Sequence, residues 1–371
     1  MMRVLHITYW YPNVNNPKEA LWVRNHVQSL SQYASQEVIH LNISPTKKGF
    51  IKVVKSEDAN HFLIGMPIKS WWVSELLSFF SLLFILLVKR VNQKFDMINF
   101  HISYPNLTYW HLIKRWVKIP IVITEHWSAY HFGFNMATEP TRIQKIFQQN
   151  IPLIAVSKAL ITDIRKFSNA DFPSFVVPNI VNTSIFYFDE SIKPEKNRFF
   201  MVSQWKDPKD PFSVLRAFAH LIQEGPSVLI IGGYGPQMEK IEKMIHELDI
   251  GESVELLGPM NPTEIAVEMN KASAFIHISE YETFSVVCAE AICCGCPVIA
   301  NKVGGIPEFI DDQNGMLLNQ NKDLLLDYMR SAQQRPQFFD SHKIALLANM
   351  RFDPKGIGEK YYHVLQTIVG L

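Results

Sequence analysis

Short apolar runs of strand character alternate with longer helical segments along this sequence, and the alternation is carried through twice. In the first half the runs are Arg3 to Thr8, Glu37 to Ile43, Phe95 to His101, PIVITEHWS, LIAVS and FVVPNIV, separated by helical stretches such as LWVRNHVQSLSQY and KALITDIRKF. The second half repeats the grammar with RFFMVSQW, SVLIIGGYGP, SVELLG and AFIHIS between SVLRAFAHLIQEG, QMEKIEKMIHELDI and TEIAVEMNKA. Runs that are apolar throughout must be covered on both faces, and intervening helices supply the cover, so a mostly parallel sheet follows in each half. The predicted fold class is α/β, with two doubly wound Rossmann-like domains facing a central cleft. Their expected bounds are 1–185 and 198–351, with 186–197 as linker. Asp353 and Pro354 mark the start of a last helix within 352–371, expected to pack back toward the N-terminal domain.

One stretch is poorly explained by packing alone: ISEYETFSVVCAEAICCGCPVIANKVGGIPEF, from Ile278 to Phe309. AFIHIS is a strand, EYET a turn, FSVVCAEAICC three turns of helix, Gly295 a C′ position and PVIA the next strand. Glu282 precedes the apolar helix and Glu290 lies within it. A helix starting near Phe284 would turn the N–H groups of Phe284, Ser285 and Val286 toward the carboxyl ends of the strands, where open parallel sheets bind ligands and an anion is favoured. Glu290, two turns in, is placed to accept hydrogen bonds from a pair of hydroxyls. The plainer alternative is a capped helix with one surface glutamate and one salt-bridged one.

Composition narrows the function classes. The 371 residues are 47% hydrophobic and 12% aromatic, ample for two cores, and their net charge of +1 gives no global field for nucleic acid. Local basic pairs, Lys47 with Lys48 and Lys89 with Arg90, remain candidates for anionic surfaces. Cys288, Cys293, Cys294 and Cys296 fall close together without zinc-type spacing, which indicates buried thiols in a reducing compartment. The start reads as a strand rather than a signal peptide, so a cytoplasmic location is expected. WWVSELLSFFSLLFILLV, between Lys69 and Lys89, contains Glu75 and three serines. It reads as a buried or half-buried helix, with interfacial membrane docking through 71–90 as the second reading and a span as the last. GGYGP, residues 232–236, follows a strand, but Met238 stands where a dinucleotide fingerprint needs its third glycine.

The sequence resembles the retaining glycosyltransferases of GT-B fold in glycosyltransferase family 4 (group 1). The resemblance covers nearly the whole chain and is strongest from Phe200 to Leu318. SEYETFSVVCAEAICCGCPVIANKVGGIPEFI carries it, with weaker matches at IIGGYGP, VELLGPM, IAVSKAL, VVPNIVNTSIF and TEHW. It implies a hexosyltransferase using a UDP- or GDP-sugar, without cofactor or metal, on a polysaccharide or lipid-linked acceptor in cell-surface glycan synthesis. The enzyme would be cytoplasmic or peripheral at the inner face of the membrane. By the same resemblance Glu282, Lys209 and His126 are catalytic: Glu282 faces the donor sugar, Lys209 neutralises the leaving diphosphate and His126 lies near the reacting carbon. Glu290 binds the ribose, the amides of Phe284, Ser285 and Val286 hold the diphosphate, and Leu257 to Met260 reads the base. Gly233 and Gly235 allow close approach of the donor.

Three positions depart from the family pattern. Gln204 stands where the family has an arginine, with Lys206 close enough to restore the charge, while Ser285 and Ala20 stand where it has glycines. Ser285 is acceptable if the backbone there is helical, whereas Ala20 would crowd the donor or shift its loop. These departures support the alternative of a degenerate, non-catalytic family member that binds a sugar nucleotide or serves as a membrane-associated scaffold.

Overall fold

The computed structural model describes residues 1–370 except 15, 47, 68–69, 135–139, 320–323 and 334–337. Lys47 and Lys69 lie outside the described residues. The chain divides into two compact units, residues 1–179 with 355–371, and residues 180–354.

The first unit holds strands β1 (Met2–Thr8), β2 (Ala34–Pro45), β3 (Phe50–Lys55), β4 (Asn60–Met66), β5 (Met97–His101), β6 (Ile121–Glu125), β7 (Leu153–Ala155) and β8 (Ser174–Val176). They form one sheet in the order β3-β4-β2-β1-β5-β6-β7-β8. All neighbours are parallel except β3, which runs antiparallel to β4 at the edge. The order reverses between β1 and β5, and β5 is buried along its whole length, as its unbroken run of large side chains requires. The final helix belongs to this unit. A Cβ on Gly358 would come within 2.2 Å of the Ser29 carbonyl oxygen, so the helix backbone lies directly on that residue. Buried Tyr361 then bonds through its hydroxyl to Asn99 of β5 and Thr124 of β6.

The second unit is a six-stranded, wholly parallel sheet of β9 (Arg198–Gln204), β10 (Val228–Tyr234), β11 (Val254–Gly258), β12 (Ala274–His277), β13 (Val298–Asn301) and β14 (Gly315–Leu318). Its order is β11-β10-β9-β12-β13-β14. The chain runs outward from β9 to β10 and β11, then returns to the other side of β9 for β12, so the switch point lies at the carboxyl ends of β9 and β12. Residues 186–197 carry no helix or strand and lie on this unit: the Asp189 N–H donates to the Asn270 side chain at 2.9 Å and the Glu195 N–H to the Lys271 carbonyl at 2.7 Å. Between β5 and β6 the chain forms a turn of α-helix at Trp110–Ile113 followed by a 3-10 turn at Lys114–Trp116.

Candidate functional site

The site of the second unit is built at that switch point. After β9 the chain turns back so that Lys209 forms an isolated bridge with Ser279, with the Asp210 N–H on the Ile278 carbonyl and the Glu280 N–H on the Pro208 carbonyl. These backbone bonds clamp the loop after β9 to the loop after β12. Their consequence is a charged trio: the Lys209 ammonium is ion-paired to Glu282, and His277 Nε2 lies 2.7 Å from Glu282 Oε1 and 3.4 Å from Lys209 Nζ. The paired glycines after β13 hold the Glu282 backbone from the other side. The Gly305 N–H donates to the Glu282 carbonyl at 3.0 Å, and Gly304, at φ +50°, passes so close that a Cβ would come within 1.6 Å of that oxygen. Gly304→Ala is therefore expected to cost about 2 kcal/mol or more in a denaturant titration and to displace Glu282, lowering any activity of the site with it.

Burial works to raise the Glu282 carboxyl, but the hydrogen bond and charge at His277 and the charge of Lys209 outweigh it and hold the group at about 2. Burial, helped by the Lys209 charge, keeps His277 below the usual histidine range despite Glu282. The imidazole is thus neutral near pH 7 and donates Nε2–H to Glu282. Sequence reasoning passed over His277. Its signal was there: it ends β12 just as His101 ends β5 and His126 follows β6.

The helix after Glu282 spans Val286–Cys293 and starts two residues later than its apolar pattern suggests. Phe284 is not helical; its ring is buried and stacks on Phe309, with Phe352 edge-on. Ser285 is the N-cap at φ 72°, ψ 81°, a left-handed backbone in place of the helical one expected. Ala20, the other residue standing for a family glycine, is also left-handed, at φ 46°, and its methyl is buried with Tyr11, Val23 and Val27. The chain keeps the glycine conformation at both positions without the glycine. Ser285→Gly is expected to raise stability by about 1 kcal/mol, because a left-handed L-residue carries about that much strain. Ala20→Gly should be near neutral, the relief offset by about 0.8 kcal/mol of lost methyl burial. Chemical denaturation of the two variants distinguishes these outcomes.

Glu290 lies half-buried on the helix, and burial alone pushes its carboxyl up to about 8. No hydrogen bond or ion pair of its side chain is found among the described residues; of the two glutamates, the salt-bridged one is Glu282. The four cysteines are buried free thiols, and burial raises those of Cys288, Cys293 and Cys294. The N–H groups of Ser285, Val286 and Val287 open the helix at an end that lacks a side-chain cap, and such groups have no acceptor within their own helix.

The remaining candidates fall into place unevenly. Gln204 and Lys206 are exposed at the end of β9, on either side of buried Trp205. Gly233 and Gly235 have φ of +109° and +147°, but the close approach they permit is to the chain itself. Cβ atoms there would meet the carbonyl oxygens of Ser203 at 1.9 Å and Trp205 at 2.3 Å. Leu257 is exposed, and the Met260 thioether packs over Gly232.

His126 belongs to the first unit, where it stacks with His101 and packs on His26, itself bonded to the Pro178 carbonyl. Burial and the neighbouring His26 hold it well below the usual histidine range, against the raising effect of the Asn179 side chain. Glu125 beside it is structural, accepting from the Ser103 N–H and the Tyr130 hydroxyl.

A carboxylate, an ammonium and a helix N-terminus at the switch point of a parallel sheet match the features of one family. Residues 184–338 fit the model of glycosyl transferases group 1. The chain carries a group 1 glycosyltransferase domain. N-acetyl-alpha-D-glucosaminyl L-malate synthase of Bacillus anthracis is 25% identical over 229 residues, 59% of this chain and 59% of that enzyme's length. The apo structure of a lipopolysaccharide outer core galactosyltransferase superposes with a TM-score of 0.77 at 17% identity, covering 99% of this chain and 100% of the other. The Anabaena protein HepE in complex with UDP-glucose gives 0.68 at 18% identity, covering 99% and 100%. At such identities the structural likeness is one of fold, and the fold is GT-B.

Proposed function

We propose that this group 1 glycosyltransferase chain moves a hexose from a nucleotide-sugar donor, a UDP- or GDP-sugar, to a polysaccharide or lipid-linked acceptor with retention at the anomeric carbon. The observation that carries the reading is the trio of Lys209, His277 and Glu282 beside the N-terminus of helix Val286–Cys293, with Glu290 unpartnered farther along it. The solved complex of HepE with UDP-glucose supports a nucleotide sugar as donor. Retention and the class of acceptor rest on the family resemblance.

Departure of a nucleoside diphosphate places negative charge on phosphate oxygens and positive character on the sugar. The helix N–H groups and Lys209 complement the first, and ionised Glu282 holds the sugar and complements the second. In the ligand-free protein Lys209 is engaged by Glu282, so an entering diphosphate competes for that ammonium. Glu290 accepts from the ribose hydroxyls and gives up its proton to do so. The role of His126 of the first unit near the reacting carbon rests on the family resemblance alone. The reading is tested by incubating the protein with UDP- and GDP-hexoses and following release of the nucleoside diphosphate with acceptor present. Release from one donor that falls away in Lys209→Ala supports it; equal release by that variant refutes the assignment.

A further inference from the structure

The helix Trp71–Val88 of the first unit is turned inside out relative to an ordinary surface helix. Of its polar residues Ser74, Glu75 and Ser78 are buried and Ser81 half-buried, and Glu75 is ion-paired to Arg142 and bonded by the Tyr104 hydroxyl. Its opposite face shows Trp72, Phe80 and Phe84 at 60% exposure each, with Leu87 at 67% and Val88 at 58%. A soluble surface helix has the reverse pattern, and an apolar face of this extent marks an interaction surface.

The patch runs on to both sides. A groove of about 250 Å³ joins Phe80 and Phe84 to Ile51 and Val53 of the edge strand β3, which are 79% and 64% exposed. A second groove, of about 280 Å³, joins Leu83 and Leu87 to Ile113 and exposed Trp116, whose ring carries the Arg115 guanidinium at 5.4 Å. The charge around it has one sign. Segments 48–55, 80–94 and 110–118 contain nine lysines and arginines and no acidic residue, and among the described residues only Lys89 of the nine forms an ion pair with a carboxylate, that of Glu37.

We propose that this face docks the protein on an anionic phospholipid bilayer, with the helix lying in the headgroup plane. Aromatic and aliphatic side chains enter the interfacial region while the surrounding lysines and arginines meet lipid phosphates. Charge decides between this occupant and a second copy of the chain: a two-fold contact would lay the same basic rim against itself. Insertion across the bilayer is disfavoured by the inward face, which is packed on the unit with Glu75 ion-paired. Among the described residues, no helix is long and apolar enough to span. The proposal stands independently of which sugar is transferred.

Flotation of the full chain with vesicles of phosphatidylcholine and phosphatidylglycerol tests it. The protein should float with these vesicles, less with phosphatidylcholine alone, and less as salt rises. The double variant Phe80→Ser with Phe84→Ser, both exposed and outside the donor site, should partition at least about tenfold more weakly with an unchanged near-UV circular dichroism spectrum. Lys52→Glu with Lys114→Glu and Arg115→Glu should weaken partitioning to the anionic vesicles by about a hundredfold. Failure of the wild type to float, equal flotation of the variants, or a lipid-free dimer that the Phe80/Phe84 variant dissociates would each overturn the proposal.

Discussion

Replacing Glu282 by glutamine should lower the rate of the proposed hexose transfer by about a hundred- to a thousandfold while leaving the protein folded. Glutamine keeps the size of the side chain and one acceptor for His277 but removes the charge opposing Lys209. Loss of one preorganised charged group at a developing charge has that order of effect. The substitution also has a pH signature. The folded carboxyl is held at about 2, below its ordinary value of 4.5. The group is ionised above that ordinary value in both folded and unfolded chains, and there its contribution to stability is fully present. As pH falls from 4.5 through about 2 the unfolded state takes up the proton first, so the contribution is lost over that window. Acid unfolding of Glu282→Gln should lack this component. Its melting temperature at pH 7 should be lower than that of the wild type, because Lys209 is left in a largely buried place without its counter-charge. A variant that transferred sugar at the wild-type rate would show that Glu282 is a structural ion-pair partner alone.

Glu290→Gln should separate stability from binding in the opposite sense. The Glu290 carboxyl is raised from 4.5 to about 8 by burial. Relative to the ionised form, the stability that goes with the protonated group is fully present below 4.5 and lost as pH rises through about 8. Glutamine cannot ionise, so the variant should be more stable than the wild type at pH 8.5 by on the order of 1–2 kcal/mol. It should also bind the nucleotide sugar about tenfold to a hundredfold more weakly, since an amide accepts two ribose hydroxyls less well than a carboxylate does. Melting curves at pH 5 and 8.5, with and without donor, report both effects. A variant neither more stable at high pH nor weaker in binding would place Glu290 away from the nucleotide.

The sheet architecture was legible because buried parallel strands have to be apolar throughout: FFMV in β9 and AFI in β12 can scarcely be read otherwise. The second unit's site was legible in part. Glu282 and Lys209, singled out for separate roles, are ion-paired to each other, and Glu290 has no side-chain partner among the described residues. Local pattern could not show what depends on distant backbone. Gly304 and Gly305 hold the Glu282 carbonyl, and Gly233 and Gly235 make room for the Ser203 and Trp205 backbone. Ser285 and Ala20 were misjudged for a related reason. Serine and alanine carry no local signal for left-handed backbone, so a helical start and a shifted loop were the natural expectations, yet the surrounding fold imposes the glycine conformation on both. His277 escaped notice because a single histidine in an apolar strand resembles a core residue until its neighbour across the switch point is known.

The second unit is proposed to bind a nucleotide sugar through Lys209, Glu282, Glu290 and the N-terminus of helix Val286–Cys293. This binding is tested most directly by the melting temperature of the wild type against a panel of UDP- and GDP-hexoses. At a ligand concentration a hundred times the dissociation constant, binding to the native state adds about 2.7 kcal/mol and a rise of several degrees for the unit that binds. Such a rise is expected with at least one donor, diminished in Lys209→Ala and absent with the free sugar. No rise with any nucleotide sugar, or a rise that Lys209→Ala leaves unchanged, would contradict it.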